Sequence, residues 1–363
     1  MTENFVTGGT GFLGSHFTLR LLRQGSRVSC LVRGGEPRRR LRAALRRAAS
    51  YLPETPESAA EVDALPVRVL EGDITLPGCG VTVAPVVPGG TFWHLAANLR
   101  YHERHRVAVF ADNVVGAREA VRLAASLGCF RFVYVSTAYT AARRTGRIPE
   151  VPHDLGGPFN NVYEESKCAA ELTVVEHCEA AGMNWVIARP SIVIGLSGTW
   201  STGGSNSGLY GFAHRIRALR NPLLSHEPGI RLRATADMPL NMVAVDWVVS
   251  DLTAIGADPT AHGVIRHLTS DSSVTVQEVI NFITSSVGVP TLVATEDEIT
   301  RPTTIEKQLA RQVEFYSNYL RYPKTFERSM PPRRSVEPQH VKAAVDSLMD
   351  ELGQDPTRRP AIW

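Results

Sequence analysis

Lysine is nearly missing from this chain. Of 39 basic residues among 363, only Lys167, Lys307, Lys324 and Lys342 are lysines, so each of those positions is informative. Cysteine is sparse as well. Cys30, Cys79, Cys129, Cys168 and Cys178 contain no C-x-x-C pair and no metal-ligand spacing, which argues against a disulfide framework or a structural zinc site. Buried reduced thiols in a cytoplasmic protein are expected. His94, His102 and His105 lie close in sequence, but they read as one strand histidine and two exposed loop histidines, and no metal is expected. No apolar run approaches the roughly 20 residues of a membrane span. The first strand pattern begins almost at Met1, so no signal peptide is expected. A formal net charge of +3 makes no electrostatic case for nucleic acid. No internal repeat is visible. What remains is a soluble chain long enough for a large core and more than one subdomain.

Against that background the glycines are placed with purpose. Gly8, Gly11 and Gly14 are spaced three apart in Thr7–Gly14. Asn4-Phe5-Val6 reads as a buried strand before them, and Leu13, Phe17 and Leu21 recur at helical spacing after them. A glycine triplet at a strand-to-helix turn is the context of a dinucleotide-binding fingerprint. Gly8 would permit the tight turn. Gly11 would let a pyrophosphate approach the backbone and the helix N-terminus, and Gly14 would let helix and strand pack closely.

Strand and helix patterns alternate up to about residue 195. Strand-like runs occur at 27–32, 67–70, 91–97, 130–137 and 185–190, with helix-like runs at 114–127 and 163–181 between later ones. Alternation of this kind implies an α/β fold with a doubly wound parallel sheet, a Rossmann arrangement. Ligands in such sheets lie beyond the carboxyl ends of the strands, where Asp73, Ala96, Thr137 and Pro190 fall. The expected division is a cofactor-binding part over 1–195 with returning segments near 241–270. A smaller substrate-covering part takes 196–240 and 271–363, and its Gly/Ser-rich stretch 199–208 reads as a loop or lid. Arg33 follows the second strand, where an acidic residue would select NAD and an arginine accommodates the 2′-phosphate of NADP. Arg33 and Arg40 are therefore expected at an NADP phosphate, and the other arginines of 38–47 on a solvated helix face.

Tyr163 and Lys167 stand at i and i+4, on one helix face. A neighbouring ammonium is expected to lower the phenol's pKa, which suits an acid or base acting on an oxygen undergoing hydride chemistry. Thr137 ends the strand before this helix and can hydrogen-bond the same oxygen. A lysine at 167, in a chain that otherwise uses arginine, favours a specific role there.

These residues resemble the extended short-chain dehydrogenase/reductase family. The likeness is greatest to its branch of fatty acyl-CoA reductases and carrier-protein thioester reductases, over roughly residues 4–285. It is carried by Thr7–Gly14, Cys30–Arg33, Gly72-Asp73-Ile74-Thr75, His94-Leu95-Ala96-Ala97, Asn113-Val114-Val115-Gly116, Tyr134–Tyr139, Tyr163–Lys167, Arg189–Gly195 and Asn241–Val248. The resemblance implies Thr137, Tyr163 and Lys167 as catalytic residues. For the cofactor it implies Gly8, Thr10, Gly11, Phe12, Leu13, Gly14, Arg33, Arg40, Asp73, Ile74, Leu95, Ala96, Ala97, Asn113, Lys167, Pro190, Ser191 and Ile192. It further implies NADPH-dependent reduction of an acyl thioester, carried by coenzyme A or by an acyl or peptidyl carrier protein, to an aldehyde or onward to an alcohol. A ketone or aldehyde reductase and a sugar-nucleotide epimerase would use the same three residues. A silent dinucleotide-binding regulator is the reading from another class, and the intact Thr/Tyr/Lys set speaks against it. Arg215, Arg217, Arg220, Arg231 and Arg233 are read either as a basic rim that steers an acidic carrier or coenzyme A, or as solvated surface. Phe212, Ile216 and Leu219 at helical spacing leave Arg217 exposed.

Overall fold

The structure is a computed structural model that describes residues 3–52, 59–82 and 88–354. Seven parallel strands form its main sheet: β1 (Glu3–Thr7), β2 (Arg27–Val32), β3 (Val67–Glu71), β4 (Thr91–His94), β5 (Arg131–Val135), β6 (Asn184–Pro190) and β7 (Val264–Leu268), in the order β7-β6-β5-β4-β1-β2-β3. The chain runs outward from β1 to β3, then crosses to β4 on the other side of β1. The switch point therefore lies between β1 and β4, with Thr7 level with Leu31 on one side and His94 on the other. A crevice at the carboxyl ends of these strands follows from the topology.

The strands read as apolar runs because both faces are covered. Phe5, Phe92 and Phe132 face helices α3 (Gly116–Ser126) and α4 (Val162–Ala180), packing with Ala120, Val121 and Val174. Val6, Trp93 and Val133 face α1 (Phe12–Arg23), α2 (Pro37–Ala49) and α6 (Val245–Ala257), packing with Phe17, Leu41 and Leu252. Full burial of such a side chain contributes about 1.5–3 kcal/mol. The solvated face expected of the 38–47 arginines is observed: on α2 Leu41 and Leu45 point inward while Arg38, Arg39, Arg46 and Arg47 are exposed.

A third apolar cluster belongs to the later chain. It joins α5 (Leu209–Ala218), α7 (Val276–Val287), α8 (Thr304–Gln312) and α9 (Pro338–Gln354) through Phe212, Ile216, Val279, Ile280, Ile283, Leu309 and Leu348. Thr275/Glu278 and Thr303/Glu306 start α7 and α8 with reciprocal capping boxes. Within the expected returning stretch, Val264–Leu268 rejoins the main sheet, while 242–244 pair in parallel with Ile192–Ile194 in a separate two-stranded ladder. The 199–208 stretch is a loop. Thr202 and Ser205 are buried, Thr202 Oγ1 donates to the Glu351 carboxylate at 2.8 and 2.9 Å, and the Gly203 and Gly204 carbonyls accept from His16 and Arg47. Its polar composition serves these bonds, so the segment is a pinned strap between α1, α2 and α9.

Candidate active site

The glycine turn is built as tightly as its spacing implies. Gly8 has φ +76, and a Cβ there would lie 2.6 Å from the Ala96 amide nitrogen. A Cβ on Gly14 would come within 2.1 Å of the Gly8 carbonyl oxygen, so Gly14 lets the turn fold onto itself before the helix packs on the strand. Gly11 is the N-cap of α1, and with no side-chain cap and no acid in the first turn the free N–H groups face the cleft. This is a cradle for an anion. Thr7 secures its floor: its Oγ1 accepts from Ala96 N–H at 3.3 Å and pairs with His94 Nδ1 at 2.8 Å. A dinucleotide fits these residues, because any side chain at Gly8 or Gly14 would close the turn.

The cleft above the strand ends has a volume of 790 Å³. Every expected cofactor residue borders it except Asp73 and Asn113. Asp73 Oδ1 accepts from Thr75 N–H and Oγ1–H at 2.9 and 2.8 Å, and so braces the turn that presents Ile74. Asn113 is buried in a π-helical turn ahead of α3. It accepts from Asn98 N–H at 2.7 Å and donates to Asn98 O at 2.9 Å and to Ser166 Oγ at 2.8 Å. Both side chains hold loops beside the cleft. Arg33 is exposed at the mouth, 3.6 Å from Asp112, and Arg40 reaches back to donate to the Arg33 carbonyl.

Thr137 caps the short turn Ala138–Ala141. Its Oγ1 accepts from Tyr139 N–H at 3.2 Å, which leaves the hydroxyl proton to donate into the cleft. Asn161 caps α4 by accepting from Glu164 N–H at 3.0 Å, and this sets the first turn that carries Tyr163. Lys167 Nζ donates to Val135 O at 2.8 Å and lies 4.1 Å over the Tyr134 ring. Thr137, Tyr163 and Lys167 all line the cleft. One electrostatic expectation fails. Burial pushes the Tyr163 phenol well above its ordinary value, with Glu164 adding to the rise, rather than down. Burial likewise pulls the Lys167 ammonium down to about 7, against the attraction of Glu171. Desolvation of the charged forms dominates at both groups.

The far half of the cleft was not foreseen. Phe212, Leu240, Met242, Val276, Val279, Phe315, Tyr316, Tyr319 and Leu320 line it, bringing α5, α7 and the 314–320 segment against Tyr139 and Tyr163. The aromatic density of Phe315-Tyr316 and Tyr319 was the available signal in the sequence. By contrast, Arg215, Arg217, Arg220, Arg231 and Arg233 do not border the cleft. Arg217 is exposed as expected, but Arg220 donates to Val287 O and Arg231 is bound to Glu306 at 2.7 Å. The arginines at the mouth are Arg33, Arg40 and Arg100. His94 is buried with burial holding its imidazole down at about 3, while His102 and His105 are half-buried rather than exposed. Among the described residues no helix is long and apolar enough to cross a membrane.

Comparison with known proteins agrees with this geometry. The non-canonical nonribosomal peptide synthetase FrzA of Cladobotryum sp. is 27% identical over 283 residues, covering 73% of this chain and 26% of that protein. The 3 beta-hydroxysteroid dehydrogenase/Delta 5→4-isomerase of Mycobacterium tuberculosis is 29% identical over 207 residues, 54% of this chain and 47% of that one. The chain thus spans half or less of the length of these curated relatives. Among solved structures, the terminal R domain of the myxalamid PKS-NRPS pathway superposes with a TM-score of 0.73 at 22% identity, covering 99% of this chain and 93% of that domain, which is a likeness of fold. The model of the male sterility protein family matches residues 6–252. With the nucleotide turn, the Thr/Tyr/Lys set and the parallel sheet in place, the chain belongs to that family, an NAD(P)-binding oxidoreductase branch of the extended short-chain dehydrogenases/reductases.

Proposed function

We propose that this protein reduces an acyl thioester with NADPH, releasing an aldehyde and a free thiol. The observation that carries the reading is the shared cleft: the nucleotide cradle and Thr137, Tyr163 and Lys167 open directly onto a wall of Phe212, Leu240, Met242, Val276, Val279 and Phe315. A fatty or peptidyl acyl chain gains from burying its methylenes there, at about 0.8 kcal/mol each. A sugar nucleotide would leave its hydroxyls and diphosphate unpaired against the same wall, which favours the acyl substrate over an epimerase. The synthetase relative and the R-domain fold support the same reading.

When bound, the reduced nicotinamide supplies a hydride to the thioester carbonyl carbon. Gly8–Gly14 would hold the pyrophosphate, Arg33 and Arg40 the 2′-phosphate, Lys167 a ribose hydroxyl, and Pro190, Ser191 and Ile192 the nicotinamide end. Thr137 and Tyr163 donate to the developing oxyanion, and preorganised donors of this kind contribute ~3 kcal/mol each. The carrier is coenzyme A or an acyl or peptidyl carrier protein. Incubation with NADPH and a panel of acyl-CoA, acyl-carrier and ketone substrates tests the reading, followed by both loss of NADPH absorbance and appearance of thiol. Oxidation of NADPH with a ketone, and none with any thioester, overturns it in favour of a ketone reductase.

A further inference from the structure

Tyr319 stands in the cleft with no part in the chemistry above. Its ring meets Tyr139 edge-on at 5.1 Å between centroids. Its hydroxyl oxygen accepts from Asn161 Nδ2 at 3.0 Å and lies against the carboxyl of Glu164. Glu164 is fully buried, one residue beyond Tyr163, and its carboxyl accepts from Asn160 N–H at 3.1 Å and Asn160 Nδ2 at 3.2 Å. The groups facing it are the phenols of Tyr139, Tyr163 and Tyr319, the amides of Asn160 and Asn161, and the ammonium of Lys324, which also donates to the Ala142 carbonyl. With Asn161 donating to the Tyr319 oxygen, the phenol's own hydrogen is directed either to Glu164 or into the cleft.

Thioester reduction needs two proton movements at different atoms. On hydride arrival a C–H bond forms and the carbonyl oxygen takes the Tyr163 proton, giving a hemithioacetal. On collapse that proton returns to the Tyr163 oxygen, the C=O bond re-forms, and the C–S bond breaks with its electron pair leaving on sulfur. The thiolate then needs a proton that Tyr163 does not supply. We infer that Tyr319 is a second proton donor of the site, delivering to the departing sulfur a proton drawn from Glu164. The balance is one thioester, one NADPH and one proton giving aldehyde, thiol and NADP. Glu164 refills from solvent between turnovers.

Burial pushes the Glu164 carboxyl up to about 7, so it carries a proton near neutrality. Transfer to an alkyl thiolate, whose thiol ordinarily titrates near ~8.5, is downhill. The Tyr319 oxygen gives one proton as it accepts another, so this buried phenol need not hold a negative charge.

The inference rests on the thioester reading, and its test separates the two. Two thioesters of one acyl group are compared, one of an alkyl thiol and one of an acidic aromatic thiol that departs as its anion. Tyr319→Phe keeps the ring packing. It is expected to lower kcat about 100-fold with the alkyl ester, leave the aromatic ester little changed, and leave NADPH affinity intact. Glu164→Gln is expected to show the same selectivity. Because Lys167 loses its proton in the same range for either ester, the readout is the wild-type ratio of kcat for the alkyl ester to kcat for the aromatic one, which should fall as pH rises through about 7, where the Glu164 carboxyl loses its proton, and Glu164→Gln should flatten that fall. Losses equal for both esters, or absent in both variants, overturn the role of Tyr319. Wild type that reduces neither ester overturns the thioester reading, and this inference with it.

Discussion

Arg33 carries more weight for cofactor choice than its neighbours. It follows β2 at the mouth of the cleft, and its acidic partner is Asp112 at 3.6 Å, a distance that leaves most of its N–H donors free for a phosphate. Of the α2 arginines Arg40 also borders the cleft but donates to the Arg33 carbonyl, while Arg38 and Arg39 look outward and Arg46 is bound to Asp63. Arg33→Asp is expected to reverse a preference for NADPH over NADH, read as the ratio of the two dissociation constants; equal wild-type affinities would show that Arg33 does not select. For the chemistry, Tyr163→Phe should keep NADPH binding and lose about 10²–10⁴-fold in kcat, since only the proton donor is removed. Lys167→Ala should weaken both, because Lys167 also ties α4 to the Val135 carbonyl and stacks on Tyr134. A Tyr163→Phe enzyme that turns over at the wild-type rate would remove the phenol from the mechanism.

At the scale of elements, the strap between residues 195 and 208 is the joint between the sheet and the later helices. A Cβ at Gly195 would lie 1.5 Å from the Ser201 carbonyl oxygen, so the strap leaves the strand end at contact distance. Thr202 is its anchor, bonded to Glu351 on α9 and accepting from Gly204 N–H at 3.1 Å. Thr202→Val removes these two bonds, while Glu351 keeps the one from Tyr51, a net cost of about 0.5–1.5 kcal/mol. Ser207 and Gly208 border the cleft just beyond, so the substitution should raise KM for the acyl substrate more than it lowers kcat, alongside a lower Tm. Unchanged stability would mean the strap is held elsewhere. This element also shows what the sequence made legible. The glycine turn, the strands with their periodic apolar runs and the Tyr/Lys spacing are local patterns, and each could be read within about twenty residues. The partners of Thr202 and Tyr319 lie 149 and 158 residues away, and no local period encodes them. The Asn98 and Ser166 partners of Asn113 lie 15 and 53 residues away and are likewise set by the fold.

The whole molecule carries an acid sensitivity in its buried histidines. Burial holds His94 and His153 down at about 3 and His267 at about 4, with nearby Lys167 or Arg189 adding to the effect on the first two and the bond His267 donates to the Glu327 carbonyl opposing it on the third. In the unfolded chain each titrates near ~6.5. Because the folded values are depressed, the unfolded state binds more protons below pH 6.5, and stability is lost as pH falls. Glu164 works in the opposite direction. Its folded value is raised to about 7, so over the same window it binds a proton in the folded state and offsets one histidine. Lys167 and Lys324, lowered by burial to about 7 and about 8, are largely protonated in both states below pH 6 and add little there. The net difference is below one proton at pH 6.5 and approaches two near pH 5, which corresponds to about 3 kcal/mol between pH 6.5 and 5. That is a large part of the stability of an ordinary domain. Denaturant midpoints measured at several pH values between 7 and 5 should therefore fall steeply, and His153→Gln should flatten the slope even though it also removes the Thr140 bond and lowers the stability at pH 7. A pH-independent midpoint over that range would mean that these imidazoles are not held neutral by the fold.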